Sequence, residues 1–367
     1  MEDSQLQYTS PLHWGLVSKY RSQLFGFAIL WIMCMHSREF TPLLDDAILS
    51  QYILYDGIIL VGGVGVDIFL FLSGVGLYYA QEKGPTLGQF YARRFQRLLI
   101  PYLVIGTAYW VFKDLAVRGD PSQFWADFTF ASFFTDGVGM FWYIALMIPL
   151  YLLAPLFYRI SKSRYDHGFV VGAFIVCLAA NYLLSLWTPE FFDHCDKAVT
   201  RVFIFILGCH FGPVVAEDRP MNRKWALFAL LALTSHGLFS ALARSSDGWF
   251  STILASRIWH NAAGFALCVL IPVALEVLQS PFLNRLLGFF GEISLELYLS
   301  HMALKSVVKT LCPDFTGWST LQCILTYGGV LVVSVGFSIL FHQLQQQTGG
   351  HFFQHIHHKK RKRIGLL

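Results

Sequence analysis

LFGFAILWIMCMHS, Leu24 to Ser37, is the stretch from which the fold is read. Every residue from Leu24 to Met35 is apolar or glycine, and the run then delivers a histidine, His36. A helix over these residues rises only about 18 Å at ~1.5 Å per residue, short of the ~30 Å hydrocarbon core of a bilayer. The helix is therefore predicted to continue past the histidine, to about residue 41. His36, Ser37, Arg38 and Glu39 then lie at membrane depth, where polar groups are tolerated only against protein or a water-filled cavity. The competing reading starts the helix near Lys19, lets Lys19 and Arg21 snorkel to the headgroups, and leaves His36 as an interfacial residue.

Composition agrees with a membrane protein. Of 367 residues, 55% are hydrophobic, 16% aromatic and 14% charged, and the mean hydropathy is +0.52, which excludes a set of soluble domains. Residues 1–23 are polar and aromatic, with no small-residue cleavage site after an apolar core, so no signal peptide is expected. Apolar segments fall at 24–41, 58–80, 98–113, 141–158, 168–187, 200–216, 225–243, 258–278, 286–308 and 320–341. The expectation is an all-α, polytopic fold of about ten transmembrane helices. None of the segments has the alternating pattern of a barrel strand, and no internal repeat is visible. The chain divides into an N-terminal segment (1–23), a transmembrane domain (24–344) and a basic, His-rich tail (345–367).

Charge orients the stack, because short cytoplasmic loops carry the excess of Lys and Arg, and about two-thirds of the 27 fall on one set of sides. Both termini are predicted to be cytoplasmic, in the inner or plasma membrane. The long loop Asp114 to Met140 then lies outside, as an interfacial re-entrant segment. None of the seven cysteines has CxxC spacing, and no metal site is expected. Cys195 and Cys312 share the outer side and are candidates to pair. The tail HFFQHIHHKKRKR, His351 to Arg363, reads as a basic juxtamembrane segment touching anionic lipid. Nucleic acid is not among the expected partners.

Five pieces of the chain, in order, carry a resemblance. GFAILWIMCMH (Gly26–His36), GGVGVDIFLFLSGVGLYYA (Gly62–Ala80), FYARRFQRLLIPY (Phe90–Tyr102), FWYIALMIPLYLLAPL (Phe141–Leu156) and GEISLELYLSHMAL (Gly291–Leu304) together resemble the membrane-bound acyltransferase family 3. These O-acyltransferases act on cell-surface glycans. The resemblance implies that His36 is the base for an acceptor hydroxyl and that acyl-CoA, most simply acetyl-CoA, is the donor, with no cofactor bound permanently. The family's first helix usually carries Arg or Lys eleven residues before its histidine. Phe25 stands there in this chain, and Arg21, one turn earlier, is the candidate replacement.

The residues have physical reasons of their own. Asp67 sits in the middle of an apolar run, where a carboxylate needs a partner. Counted along antiparallel spans, His36 lies ~12 Å and Asp67 ~13 Å below the same surface, so Asp67 is the expected carboxylate beside His36. Arg93, Arg94 and Arg97 lie within about one helical turn and suit donor phosphates or a positive-inside anchor. In the ninth span, Ser294, Tyr298 and His301 share one face, and Glu292 and Glu296 another. Ser294, Glu296, Tyr298 and His301 are candidates to line the site, together with Ser73, Trp142 and Tyr143. The expected reaction is acyl transfer to a hydroxyl of a surface or lipid-linked polysaccharide. A transporter using an intramembrane His, Asp and Glu proton relay, without acyl chemistry, is the alternative.

Overall fold

In the computed structural model the described residues are 12–40, 60–162, 166–244, 253, 258–315 and 317–364, and no strand occurs among them. Helices α1 (Gly15–Lys19) and α2 (Arg21–His36) lead into a 3-10 turn, Ser37–Phe40. A second 3-10 turn, Leu60–Gly63, opens α3 (Val64–Glu82). Helix α4 (Leu87–Trp110) runs on into a π-helical stretch, Val111–Val117. There follow α5 (Pro121–Phe128), α6 (Ala131–Thr135), α7 (Trp142–Ser161), α8 (Asp166–Trp187), α9 (Pro189–Val199) and α10 (Val202–Ala216). The chain continues through α11 (Arg223–Arg244), α12 (Trp259–Leu278), α13 (Pro281–Glu292), α14 (Ser294–Leu311) and α15 (Thr320–Ile364).

Among the described residues, seven helical stretches are long and apolar enough to cross a membrane: Val61–Glu82, Leu87–Val117, Trp142–Ser161, Gly168–Trp187, Pro189–Ala216, Trp259–Leu278 and Leu321–Gln347. Two other expected spans are shorter or more polar: helix α2 has 16 residues, and the 18 of α14 include Glu296, Lys305 and Lys309. Helix α3 is the centre of the bundle, with 83% of its apolar window buried, whereas α8, at 6%, is an outer helix whose Val171, Ile175 and Val176 face the surroundings. The wide range follows from the absence of water: lipid-facing and core-facing residues are equally apolar, so burial and hydropathy separate.

Small residues let the helices approach backbone to backbone. A Cβ on Gly208 would stand 2.1 Å from the Phe71 carbonyl oxygen, and one on Gly74 would stand 2.3 Å from that of Phe205, which fixes the α3–α10 crossing. At the α2–α13 crossing a Cβ on Gly26 would meet the Leu287 carbonyl oxygen at 1.9 Å. Trp14, ahead of the first apolar run, packs into this core: it is buried, with its ring 4.8 Å from Phe211. Outside the apolar region, His13 donates to Asp218 and the Gly15 amide donates to the same oxygen.

Four expectations are corrected. The third span starts at Leu87 rather than residue 98, because Thr86 and Gln89 form a reciprocal capping box, so Arg93, Arg94 and Arg97 lie on the helix itself. The ninth span breaks at Ile293, which puts Glu292 and Glu296 on different helices, with Glu292 exposed and Glu296 accepting from His342. The loop Asp114 to Met140 is folded: Asp120 caps α5, Pro121 occupies its first turn, and Phe124, Phe130 and Phe133 are buried. All seven cysteines are free, so Cys195 and Cys312 do not pair. The basic tail falls on side chains outside those described.

Candidate active site

Residues 21, 25, 32 and 36 recur at intervals of four, seven and four, so one stripe of α2 carries Arg21, Phe25, Ile32 and His36. The first three line a cavity between α2, α3, α4, α7 and α14, with roughly 730 Å³ of space not filled by atoms, open solvent included. Ser73 on α3, Arg94 and Arg97 on α4, Tyr143 on α7, and Ser294 and Tyr298 on α14 complete its walls. Arg21, Arg94 and Arg97 also line a second, outer hollow of about 940 Å³ that reaches Lys83 and Arg93. The two hollows form a vestibule and an inner chamber, with three guanidinium groups at their junction.

Those groups are held without carboxylates. Arg21 lies over the Phe25 ring at 5.1 Å, in space left by the missing Cβ of Gly76, and Arg94 donates to the Gly76 carbonyl at 3.3 Å. Among the described residues none of Arg21, Arg94 or Arg97 has an ion-pair partner. Cations brought together in a partly buried chamber without anions form a site complementary to a polyanion. Phe25 therefore leaves no gap in the positive charge, because Arg21 reaches the same junction.

At the other end of the stripe His36 belongs to a compact polar group. Its Nδ1 is 2.8 Å from Glu39 Oε1, which also accepts from Lys305 Nζ at 2.5 Å, while Lys309 Nζ donates to Glu39 Oε2 at 2.9 Å. Lys305 Nζ is 3.1 Å from the same His36 Nδ1. With Nδ1–H donated to Glu39, Nε2 carries the lone pair. His301 stands beside it, with ring centroids 5.6 Å apart, and is fully buried. The Nδ1 of His301 donates to the Leu297 carbonyl at 2.8 Å, and its Nε2 has no hydrogen-bond partner among the described residues. Tyr298 links this group to the chamber, its ring 6.1 Å from His301 and 5.7 Å from Tyr143.

Asp67 is not the carboxylate of His36. It is fully buried and accepts from Arg201 Nε at 3.1 Å. Arg201 in turn donates to the Lys197 carbonyl at 3.0 Å, lies 3.2 Å from His260 Nδ1, and rests over Trp142 at 5.5 Å. The physical reason is rotation. Gly65 faces α2, where an added Cβ would meet the Ala28 carbonyl oxygen at 2.7 Å, and two residues further along a helix is about 200° around it. Asp67 consequently points at α12, where a Cβ on Gly264 would stand 2.5 Å from its own Cβ. Depth alone suggested the pairing, and azimuth forbids it.

The remaining expected residues separate. Ser73, Tyr143, Ser294 and Tyr298 line the chamber, whereas Arg93 reaches only the outer hollow, Trp142 belongs to Arg201, and Glu296 to His342. His36 and His301 lie beyond the chamber wall rather than on it. The sequence reading missed Glu39, Lys305, Lys309 and Arg201 as partners. A signal existed for the lysines, since His301, Lys305 and Lys309 are spaced by four and share one face of α14.

An all-helical bundle of apolar spans, holding a cation-lined chamber and a buried histidine group, defines a multi-pass membrane protein with a polar interior site. A family model described as an acyltransferase domain, acyltransferase family 3, matches residues 26–343, and the chain belongs to this family of membrane acyltransferases. No curated protein and no solved structure matches the chain.

Proposed function

We propose that this acyltransferase moves an acyl group, most simply acetyl, from a cytoplasmic acyl-CoA to a hydroxyl of a surface or lipid-linked polysaccharide. The observation that carries this reading is the single stripe of α2. It begins at three guanidinium groups without carboxylates and ends at a histidine whose Nδ1 is held by Glu39. The vestibule suits the phosphates of the donor, and the chamber with Tyr143 and Tyr298 suits its thioester arm. His36 Nε2 takes the proton from the acceptor hydroxyl as the oxygen attacks the thioester carbonyl. The tetrahedral intermediate collapses, the carbon–sulfur bond breaks, and the thiolate leaves with the proton returned to it. Glu39 fixes the imidazole and stabilises the imidazolium, and the two lysines keep Glu39 ionised beside it. His301 and Tyr298 position His36 against the chamber. No metal is invoked, because the thioester already supplies the leaving group.

In this reading ten helices traverse the inner or plasma membrane, both termini and the arginine end are cytoplasmic, and the His36 end faces outward. The test is reconstitution in vesicles with labelled acetyl-CoA and candidate glycans. Label on the glycan supports the reading. Glycan or donor movement with no label transferred favours a carrier and removes it.

A further inference from the structure

A different stripe of α2 borders a separate cavity. Phe27, Trp31 and Cys34 form one wall, and α11 and α12 supply the facing wall with Leu233, His236 and Leu267. The space measures about 1100 Å³, open solvent included, and all but one of its lining side chains are apolar or a thiol. It opens on the outside of the bundle, since Cys34 is exposed and Trp31 half-buried. A groove of this composition on the spanning part of a membrane protein faces hydrocarbon rather than water.

The exception is His236. It is 3% exposed, and its Nε2 has no hydrogen-bond partner among the described residues. A buried nitrogen left unsatisfied in apolar surroundings is costly, so an oxygen brought by a ligand is the natural partner. Polar groups continue from there toward Arg201. The His236 ring is 5.0 Å from that of His260, and His260 Nδ1 lies 3.2 Å from an Arg201 nitrogen. A molecule that fits has a long apolar chain and one oxygen-rich group at its end.

We propose that this groove seats the hydrocarbon chain of a lipid phosphate, the lipid that carries the glycan acceptor, with its phosphate at His236. The assignment of the lipid as acceptor carrier rests on the acyl-transfer reading above. Register supports it. From Phe27 to Cys34 the groove follows α2 for about 10 Å at ~1.5 Å per residue, and it ends two residues before His36. A chain lying in it brings its head to the level of the base, on the far side of the same helix. The sugar beyond the phosphate then has only to pass around the end of α2, where His36 and Glu39 are 18% and 33% exposed.

The test uses the full chain in phosphatidylglycerol vesicles with a diazirine-bearing long-chain alkyl phosphate, followed by peptide mapping of the cross-link. Expected are cross-links on α2 near Trp31 and Cys34, at least tenfold reduced by excess unlabelled alkyl phosphate in a bilayer already full of phospholipid. Leu233→Trp, which fills the groove, should abolish the cross-link. It should also slow transfer to a lipid-linked glycan at least tenfold, leaving transfer to the same glycan without its lipid and the donor KM unchanged. Leu233→Ala, which widens the groove, should keep the cross-link and controls for folding. Cross-links that map elsewhere, or that excess alkyl phosphate does not reduce, overturn the site. Equal losses on lipid-linked and lipid-free acceptor overturn the role of the lipid. Competed cross-linking in a protein that labels no glycan keeps the lipid phosphate site and removes only its identity as acceptor carrier.

Discussion

His36 serves as a base only while one of its two nitrogens is tied down, and Glu39 is the group that ties it. His36→Ala should therefore reduce transfer by the ~10² to 10⁴-fold expected of a lost general base, measured as initial rate at matched expression. Glu39→Gln should lose less, because the amide oxygen still accepts from Nδ1–H but no longer offsets the imidazolium charge. The double variant should be scarcely worse than His36→Ala, since the two act as one unit, and multiplicative losses would mean that they work separately. Asp67 behaves differently. Asp67→Ala leaves Arg201 buried and uncompensated, a loss of ~3 to 5 kcal/mol that should appear as a lower thermal midpoint and poor yield rather than as an altered rate per folded molecule. An unchanged midpoint would show that Arg201 does not depend on it. Both residues were legible in the sequence as polar groups in apolar runs. Their partners were not, because a carboxylate at the right depth is one of several that a bundle can rotate toward or away from a histidine, and periodicity gives depth without neighbours.

Helix α4 brings together charge and cavity at the scale of an element. Its capping box begins the helix eleven residues before the apolar run, which places Arg94 and Arg97 on the face that meets Arg21 and turns Arg93 outward. Arg94→Gln and Arg97→Gln should each raise the donor KM by the ~1.5 to 3 kcal/mol of a charge-assisted bond, roughly 10- to 100-fold, whereas Arg93→Gln should do little. Three equal, small effects in steady-state kinetics would return the cluster to a mere anchor. A second element-scale expectation concerns the N-terminal segment. The Asp218 carboxyl is held below its ordinary value by the His13 hydrogen bond and, to a lesser degree, by the Gly15 amide. A carboxylate with a depressed pKa stabilises above its unfolded value of about 3.9 and ceases to do so as pH falls through the depressed one. Asp218→Asn should thus loosen residues 14–20 to hydrogen exchange at pH 7 and make no difference in strong acid. Hydropathy found the long apolar helices but not the short ones such as α5, α6 and α9, nor the start of α4 or the break at Ile293, which are set by hydrogen bonds and chain geometry rather than by apolarity.

The whole molecule is apolar in its core as well as on its outer face, with its polar groups gathered at a few interior sites, and which end faces the cytoplasm decides which substrate each end meets. Helix α2 runs from Arg21 to His36, and α14 runs alongside it from Ser294 to Lys309, so the vestibule and the Glu39 group lie at opposite ends of the bundle. The arginine end also carries Lys83, Lys162, Arg223 and Lys224 at helix termini and turns, the concentration of positive charge expected of cytoplasmic loops. Single cysteines give a direct test, because they report access without requiring activity. Gly84, in the turn between α3 and α4, and Asn222, in the turn before α11, stand at the arginine end. Asp120 caps α5 at the other end and is exposed. With the exposed native Cys34 replaced by Ser to lower the background, Cys at Asp120 should react with an impermeant maleimide in intact cells. Cys at Gly84 and Asn222 should react only after the membrane is opened. The reverse pattern would place the guanidinium junction outside, where acyl-CoA is absent, and the vestibule would then need another polyanion. A mixed pattern, with Gly84 and Asn222 on different sides, would mean that the four spanning helices between them, α4, α7, α8 and α10, do not alternate across the bilayer as their ends require.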